Sequence, residues 1–169
     1  QVVRDINKYS NNVMAQQVFL TMGRQRDGVG SWDSAQAALR QWWQRRVGAQ
    51  TFPIVENGAG LSREERITAQ GLARMLQVAW GSPVMPEFLA SLPVLGVDGT
   101  LRRNQARASG QAHLKTGSLR DASAIAGYVH AASGRRYVLV AMVNDSRAAA
   151  ARPALDALVE WVVADLAPR

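Results

Sequence analysis

Residues 123–143, SAIAGYVHAASGRRYVLVAMV, decide the fold. Ala124, Ala126, Tyr128 and His130 fall on one side of an extended chain, and Ile125, Gly127 and Val129 on the other. That period of two is the mark of a strand. Ser133-Gly134 is a turn signal, and residues 137–143 form a continuous apolar run rich in valine. The pair reads as an antiparallel hairpin with a well-buried second strand. Downstream, Pro153 suits the first turn of a helix. Leu155, Leu158, Val159, Val162, Val163 and Leu166 then make one apolar stripe over 153–166, which belongs on the sheet. This helix can cover only one face of the apolar run. An open sheet edge and an exposed apolar patch are therefore expected, and with them self-association.

Upstream of Pro93 the pattern is helical. A first helix is expected over about 12–22, with Val13, Met14, Val18 and Leu20 apolar and Gly23 as its stop. Residues 23–31 read as a turn-rich loop. A second helix opens at Asp33 or Ser34 as N-cap and runs to Gly48, with Ala35, Ala38, Leu39, Trp42 and Trp43 on its stripe. A third begins at Thr68, buries Leu72, Met75, Leu76 and Ala79, and stops at Gly81-Ser82-Pro83. The expected class is α+β: a mainly helical part over about 1–92, then a sheet and terminal helix over about 93–169.

At 169 residues and 18.4 kDa the chain is one domain or part of one. The mean hydropathy of −0.13 suits a globular protein, and no apolar run approaches the ~20 residues of a membrane-spanning helix. There is no cysteine, which excludes disulfides, thiolate metal sites and a cysteine nucleophile together. His113 and His130 are the only histidines and read as sheet residues, which argues against a structural zinc site. The start at Gln1, with no Met and no basic-then-apolar leader, reads as a cut end inside a longer protein. The net charge is +7, and Lys8 and Lys115 are the only lysines among 20 cationic residues, leaving 18 arginines. The arginines lie in scattered pairs rather than one stripe interleaved with aromatics, which argues against nucleic acid as a partner.

With cysteine absent and histidine scarce, hydroxyls are the candidate nucleophiles and lysine or carboxylates the candidate bases. Lys115 stands in His113-Leu114-Lys115-Thr116-Gly117-Ser118. A lysine at the end of a strand, followed by a hydroxyl and a glycine, offers a cation, a hydroxyl and a free backbone N–H side by side. Such a set can hold a carboxylate and polarise a carbonyl. Gly117, without a Cβ, lets a substrate backbone approach. Taken alone this is also a common lysine before a Gly-Ser turn. The second candidate is Tyr9-Ser10-Asn11-Asn12, where Ser10 or Asn11 would equally serve as a helix N-cap.

Together, a Ser-x-Asn and a Lys-Thr-Gly triplet are two of the three signatures of penicillin-interacting serine acyltransferases. Three further stretches extend the match: Glu56-Asn57-Gly58-Ala59-Gly60-Leu61-Ser62-Arg63, residues 92–101 (LPVLGVDGTL) and residues 110–119 (GQAHLKTGSL). In this order they resemble the D-alanyl-D-alanine carboxypeptidase/endopeptidase family, the class C low-molecular-mass penicillin-binding proteins. The resemblance covers nearly the whole chain. It implies the C-terminal part of a penicillin-binding, beta-lactamase-like transpeptidase fold, acting in the periplasm or bacterial cell envelope without a cofactor. The implied partners are a peptidoglycan stem peptide ending in D-Ala-D-Ala, beta-lactams, and the N-terminal part of the same protein.

The resemblance also implies roles. Ser10 shuttles protons to and from the leaving group, and Asn12 contacts the substrate's peptide backbone. Lys115 supplies a positive field and bonds the Ser10 hydroxyl. Thr116 binds the terminal carboxylate, Gly117 clears space, and the N–H of Ser118 is half of the oxyanion hole. Glu56 and Asn57 fix the loop below the site, and Asp98 reads as a turn residue before Gly99. One departure is plain: three positions before Lys8 is Asp5 and three before Lys115 is Ala112, so the chain holds no Ser-x-x-Lys nucleophile motif. Alone, it is expected to be inactive. The competing readings are a serine beta-lactamase, whose loop glutamate the 56–60 loop does not resemble, and a non-catalytic peptidoglycan-binding module.

Overall fold

The computed structural model describes residues 1–104 and 108–165; Leu166, the last member of the predicted stripe, lies outside the described residues. Among the described residues, six α-helices and three strands carry the architecture: α1 (Val2–Tyr9), α2 (Asn12–Asp27), α3 (Trp32–Arg46), α4 (Ala69–Trp80), α5 (Met85–Ser91), β1 (Ala112–Leu119), β2 (Ala122–His130), β3 (Arg136–Asn144) and α6 (Arg152–Val163). The sheet is antiparallel in the order β1-β2-β3. The hairpin stands where the period of two put it, with Gly134 at φ 83° in its turn.

Both faces of the sheet are covered, which the sequence did not suggest. On one face, Leu114, Ile125, Val129 and Leu139 pack with Leu155 and Val159 of α6. On the other, Tyr128 is buried with Leu76, and Val138 and Val140 pack against the same cluster as Leu72, Met75 and Phe88 from α4 and α5. The third helix of the sequence pattern is therefore the second cover of the apolar strand. Gly127 permits the closest approach within the sheet: at φ 151°, a Cβ there would lie 2.1 Å from the His113 carbonyl oxygen.

Several boundaries differ from the sequence reading. α2 does not stop at Gly23 but continues to Asp27, and Gly28 at φ 79° ends it. Gly23 is instead the crossing point with α3, because a Cβ there would meet the Ala35 backbone nitrogen at 2.7 Å. The loop shrinks accordingly to about 28–31. The N-cap of α3 is Ser31 rather than Asp33 or Ser34; its side chain accepts from the Ser34 N–H at 3.2 Å. Thr68 caps α4 as its pattern indicates. Lys115 sits fourth in β1, well inside the strand rather than at its end.

Candidate active site

The segment before α2 resolves the ambiguity between capping and chemistry. Asn11 is the N-cap: its side chain accepts from the Met14 N–H at 3.0 Å. Ser10 is thereby released from that duty. It ends α1 in the left-handed conformation, φ 54° and ψ 49°, and is the only non-glycine residue with positive φ among the described residues. Its hydroxyl receives a hydrogen bond from Lys115 Nζ at 3.0 Å, across 105 positions of sequence.

Lys115 alternates onto the sheet face that looks toward α4 and α5, opposite Ala126 of β2. Its Nζ also donates to the Thr116 carbonyl at 2.8 Å, which pins the ammonium over the strand. Burial holds its pKa below the ordinary lysine value, because a partly desolvated ammonium is disfavoured. The strand partners opposite are small: Lys115 faces Ala126 and Gly117 faces Ala124. A cleft of about 1000 Å³ opens here, lined by Lys115, Thr116 and Gly117 of β1 and by Met75 and Leu76 of α4. Ser118 is exposed, paired with Ser123, and Asn12 is exposed as the first residue of α2. Of the six residues singled out from the two triplets, Ser10 and Lys115 meet directly and Thr116 and Gly117 line the cleft with Lys115; Ser118 follows Gly117 in β1, and Asn12 stands one residue beyond the Asn11 cap.

The loop holding Glu56 and Asn57 is built as its composition suggests. Asn57 Oδ1 accepts from the N–H groups of Ala59 and Gly60 at 2.8 and 3.0 Å, and Glu56 accepts from the Ser62 hydroxyl. Glu65 closes it by accepting from the N–H groups of Glu56 and Asn57, both at 3.0 Å. Arg63 reaches from this loop to both oxygens of Asp121 at 2.6 Å, at the open end of the cleft. The guanidinium holds the exposed Asp121 carboxyl below its ordinary value. His113 and His130 lie side by side on β1 and β2 with ring centroids 5.5 Å apart.

Two residues next to the site escaped the sequence reading: Lys8, which is buried against the turn after α5, and Asp121, the partner of Arg63. The signal for Lys8 was available. A chain with two lysines places both beside Ser10.

Residues 1–164 match the family described as the D-Ala-D-Ala carboxypeptidase 3 (S13) family. The chain is 34% identical over 135 residues to a D-alanyl-D-alanine carboxypeptidase of Actinomadura sp. (strain R39), covering 75% of this chain and 25% of that protein. It is 30% identical over 169 residues to the carboxypeptidase DacB of Mycolicibacterium smegmatis, covering 92% of this chain and 35% of that one. The chain thus spans between a quarter and about a third of the length of these relatives. Among solved structures, penicillin-binding protein 4 of Haemophilus influenzae in complex with a beta-lactam shares the fold at TM-score 0.78 and 22% identity, over 85% of this chain and 34% of that one. A predatory endopeptidase of Bdellovibrio bacteriovorus aligns over 99% of this chain and 46% of its own length, at TM-score 0.71 and 18% identity.

Proposed function

Because this chain belongs to the D-Ala-D-Ala carboxypeptidase 3 (S13) family, we propose that it forms the C-terminal part of the catalytic domain of a serine DD-peptidase. The observation that carries this reading is the 3.0 Å hydrogen bond from Lys115 Nζ to Ser10 Oγ, which joins the two triplets into one site. The substrate is a peptidoglycan stem peptide ending in D-Ala-D-Ala, cleaved as a carboxypeptidase and, where the peptide is cross-linked, as an endopeptidase. The enzyme works in the bacterial cell envelope, on the periplasmic side.

The nucleophile is the serine of a Ser-x-x-Lys motif contributed from outside this sequence. Its Oγ attacks the carbonyl of the penultimate D-alanine. An ester bond forms, the peptide C–N bond breaks, and D-alanine leaves with a proton delivered through Ser10. Water then hydrolyses the ester and regenerates the serine. Lys115, beside Ser10, supplies the positive field that favours this proton transfer and the developing negative charge. Thr116 binds the terminal carboxylate, Gly117 admits the substrate backbone, and the Ser118 N–H donates to the oxyanion. Asn12 contacts the peptide backbone. Beta-lactams acylate the same serine.

The test uses a fluorescent penicillin and release of D-alanine from a D-Ala-D-Ala peptide. The full-length protein should label and release D-alanine, and Lys115→Ala should abolish both while the fold remains. The 169-residue chain alone should do neither, since loss of the nucleophile of such a unit costs on the order of 10⁶ in kcat. Labelling of Lys115→Ala at the normal rate would remove Lys115 from the mechanism.

A further inference from the structure

Ser10 stands at an exposed corner in a conformation that serine does not favour, yet its hydroxyl is held on an amine from a distant strand. What sets that separation lies two residues upstream. Lys8 is only 4% exposed, and lysine is almost never so buried unless it is paired. Its Nζ donates to the Leu92 carbonyl at 2.6 Å and to Asp98 Oδ2 at 2.5 Å. The other carboxylate oxygen of Asp98 accepts from the Val94 N–H at 2.8 Å. This 92–98 turn is in turn bonded to β1: the Leu114 N–H donates to the Pro93 carbonyl and the Leu95 N–H to the Ala112 carbonyl, both at 2.9 Å. An unbroken series of hydrogen bonds therefore runs from the last turn of α1 to the residue that precedes Lys115.

Two further contacts serve the same seating. Asn7 Nδ2 donates to the Ser91 hydroxyl at 2.8 Å. At Gly99, with φ 57°, a Cβ would lie 2.6 Å from the Lys8 carbonyl oxygen, so α1 rests its backbone directly on the turn. Burial by itself would raise the Asp98 carboxyl, but the bonds from Lys8 and the Val94 N–H outweigh it and hold the group below its ordinary value. The carboxylate of the pair is thus ionised at neutral pH.

We propose that the Lys8–Asp98 ion pair is a positioning device that registers the end of α1 against β1 and so holds Ser10 Oγ within reach of Lys115 Nζ. It rests on the reading above for what the Ser10–Lys115 contact does. A buried ion pair is weak evidence for stability, whereas fixing one arrangement among several is its best-attested use. Neither Lys8 nor Asp98 touches substrate in this scheme.

The two-lysine composition makes the test direct. The 169-residue chain labelled with ¹³C,¹⁵N-lysine shows two side-chain signal sets, and Lys115→Met assigns them by leaving that of Lys8. Asp98→Asn keeps the acceptor for the Val94 N–H and removes the charge that Lys8 needs. In folded Asp98→Asn and Lys8→Met the Lys115 signal should move from its wild-type position. In the full-length protein, penicillin acylation should slow about 10²-fold, the cost of misplacing a reacting group by about 1 Å. If Lys8→Met does not fold, Asp98→Asn decides alone. A wild-type Lys115 signal in folded Asp98→Asn, or acylation at the wild-type rate, overturns the proposal. Failure of the wild-type full-length protein to label would defeat the proposed function instead, and the lysine signals would still decide the positioning role.

Discussion

The phenol of Tyr128, in the middle of β2, donates a 2.7 Å hydrogen bond to the carbonyl of Leu76 within α4. The ring is 1% exposed and flanked by Trp80 and Phe88 at centroid distances of 5.2 and 6.3 Å. One side chain thus joins the sheet to the helical part behind Lys115. Removing the hydroxyl should cost about 0.5–1.5 kcal/mol, the net worth of one such hydrogen bond, since the Leu76 carbonyl keeps its place in the helix ladder. Chemical denaturation of Tyr128→Phe measures this. Burial also pushes the Tyr128 pKa up to about 12, so in a spectroscopic titration one tyrosine of three should ionise last.

The paired histidines should make the fold sensitive to mild acid. Burial lowers the pKa of His113, and nearby Lys8 lowers it further, although a 3.2 Å contact with the Leu89 carbonyl and the Asp98 charge act the other way. Burial lowers His130 as well, helped by His113 and Arg136. Below their ordinary value of 6.5 the unfolded chain binds more protons than the folded one. Stability is therefore complete above that pH and falls as pH drops toward the folded values. The melting temperature should decline as pH falls below about 6.5, and a His113→Gln/His130→Gln variant should flatten that decline. An unchanged slope in the double variant would place the acid sensitivity elsewhere.

Lys115 should be a residue the fold tolerates and the chemistry requires. Burial disfavours its ammonium, so at neutral pH its charged form works against folding. Lys115→Met should raise the melting temperature at pH 7 while removing penicillin acylation in the full-length protein. The sign is that of the histidine case and only the pH range differs: the penalty is full below the folded pKa and disappears as pH rises to the unfolded value. The stabilisation by Lys115→Met should accordingly shrink toward pH 10.5.

Among the described residues, β3 pairs on one side only, with β2. Beside it runs an apolar groove of about 440 Å³ between β3 and α6, lined by Tyr137, Leu158, Val162 and Trp161, the last 74% exposed. The 169-residue chain should self-associate through this edge and groove. Sedimentation should show mass rising with concentration, and Trp161→Glu should lower that tendency. A clean monomer over a wide concentration range, with a cooperative melt, would contradict it.

The parts of this structure that could be read from sequence are those in which one period governs a whole element. The β2–β3 hairpin, α4 with its Thr68 cap and the stripe of α6 are of this kind. α1 was missed because it is only eight residues long, VVRDINKY, and its buried member is a lysine. Gly23 was misread because glycine in a helix signals an end locally, whereas here it allows the crossing with α3. The cover on the second sheet face came from α4, a distant segment whose own stripe does not name its target. At the site, the triplets located Ser10 and Lys115. Their meeting depends on Lys8, one of only two lysines, whose partner Asp98 lies 90 positions away in sequence.

The left-handed backbone at Ser10 has a consequence for how this protein would respond to selection. Position C′ of a helix favours glycine, and serine there gives up about 1 kcal/mol of conformational energy. A screen that rewards heat resistance alone would accept Ser10→Gly, since the loss of one exposed hydrogen bond is small beside that relief. The accepted change would delete the hydroxyl that meets Lys115. Laboratory evolution of this chain for robustness, without a selection for penicillin or peptide turnover, would therefore drift toward well-folded proteins that have lost the Ser10–Lys115 contact.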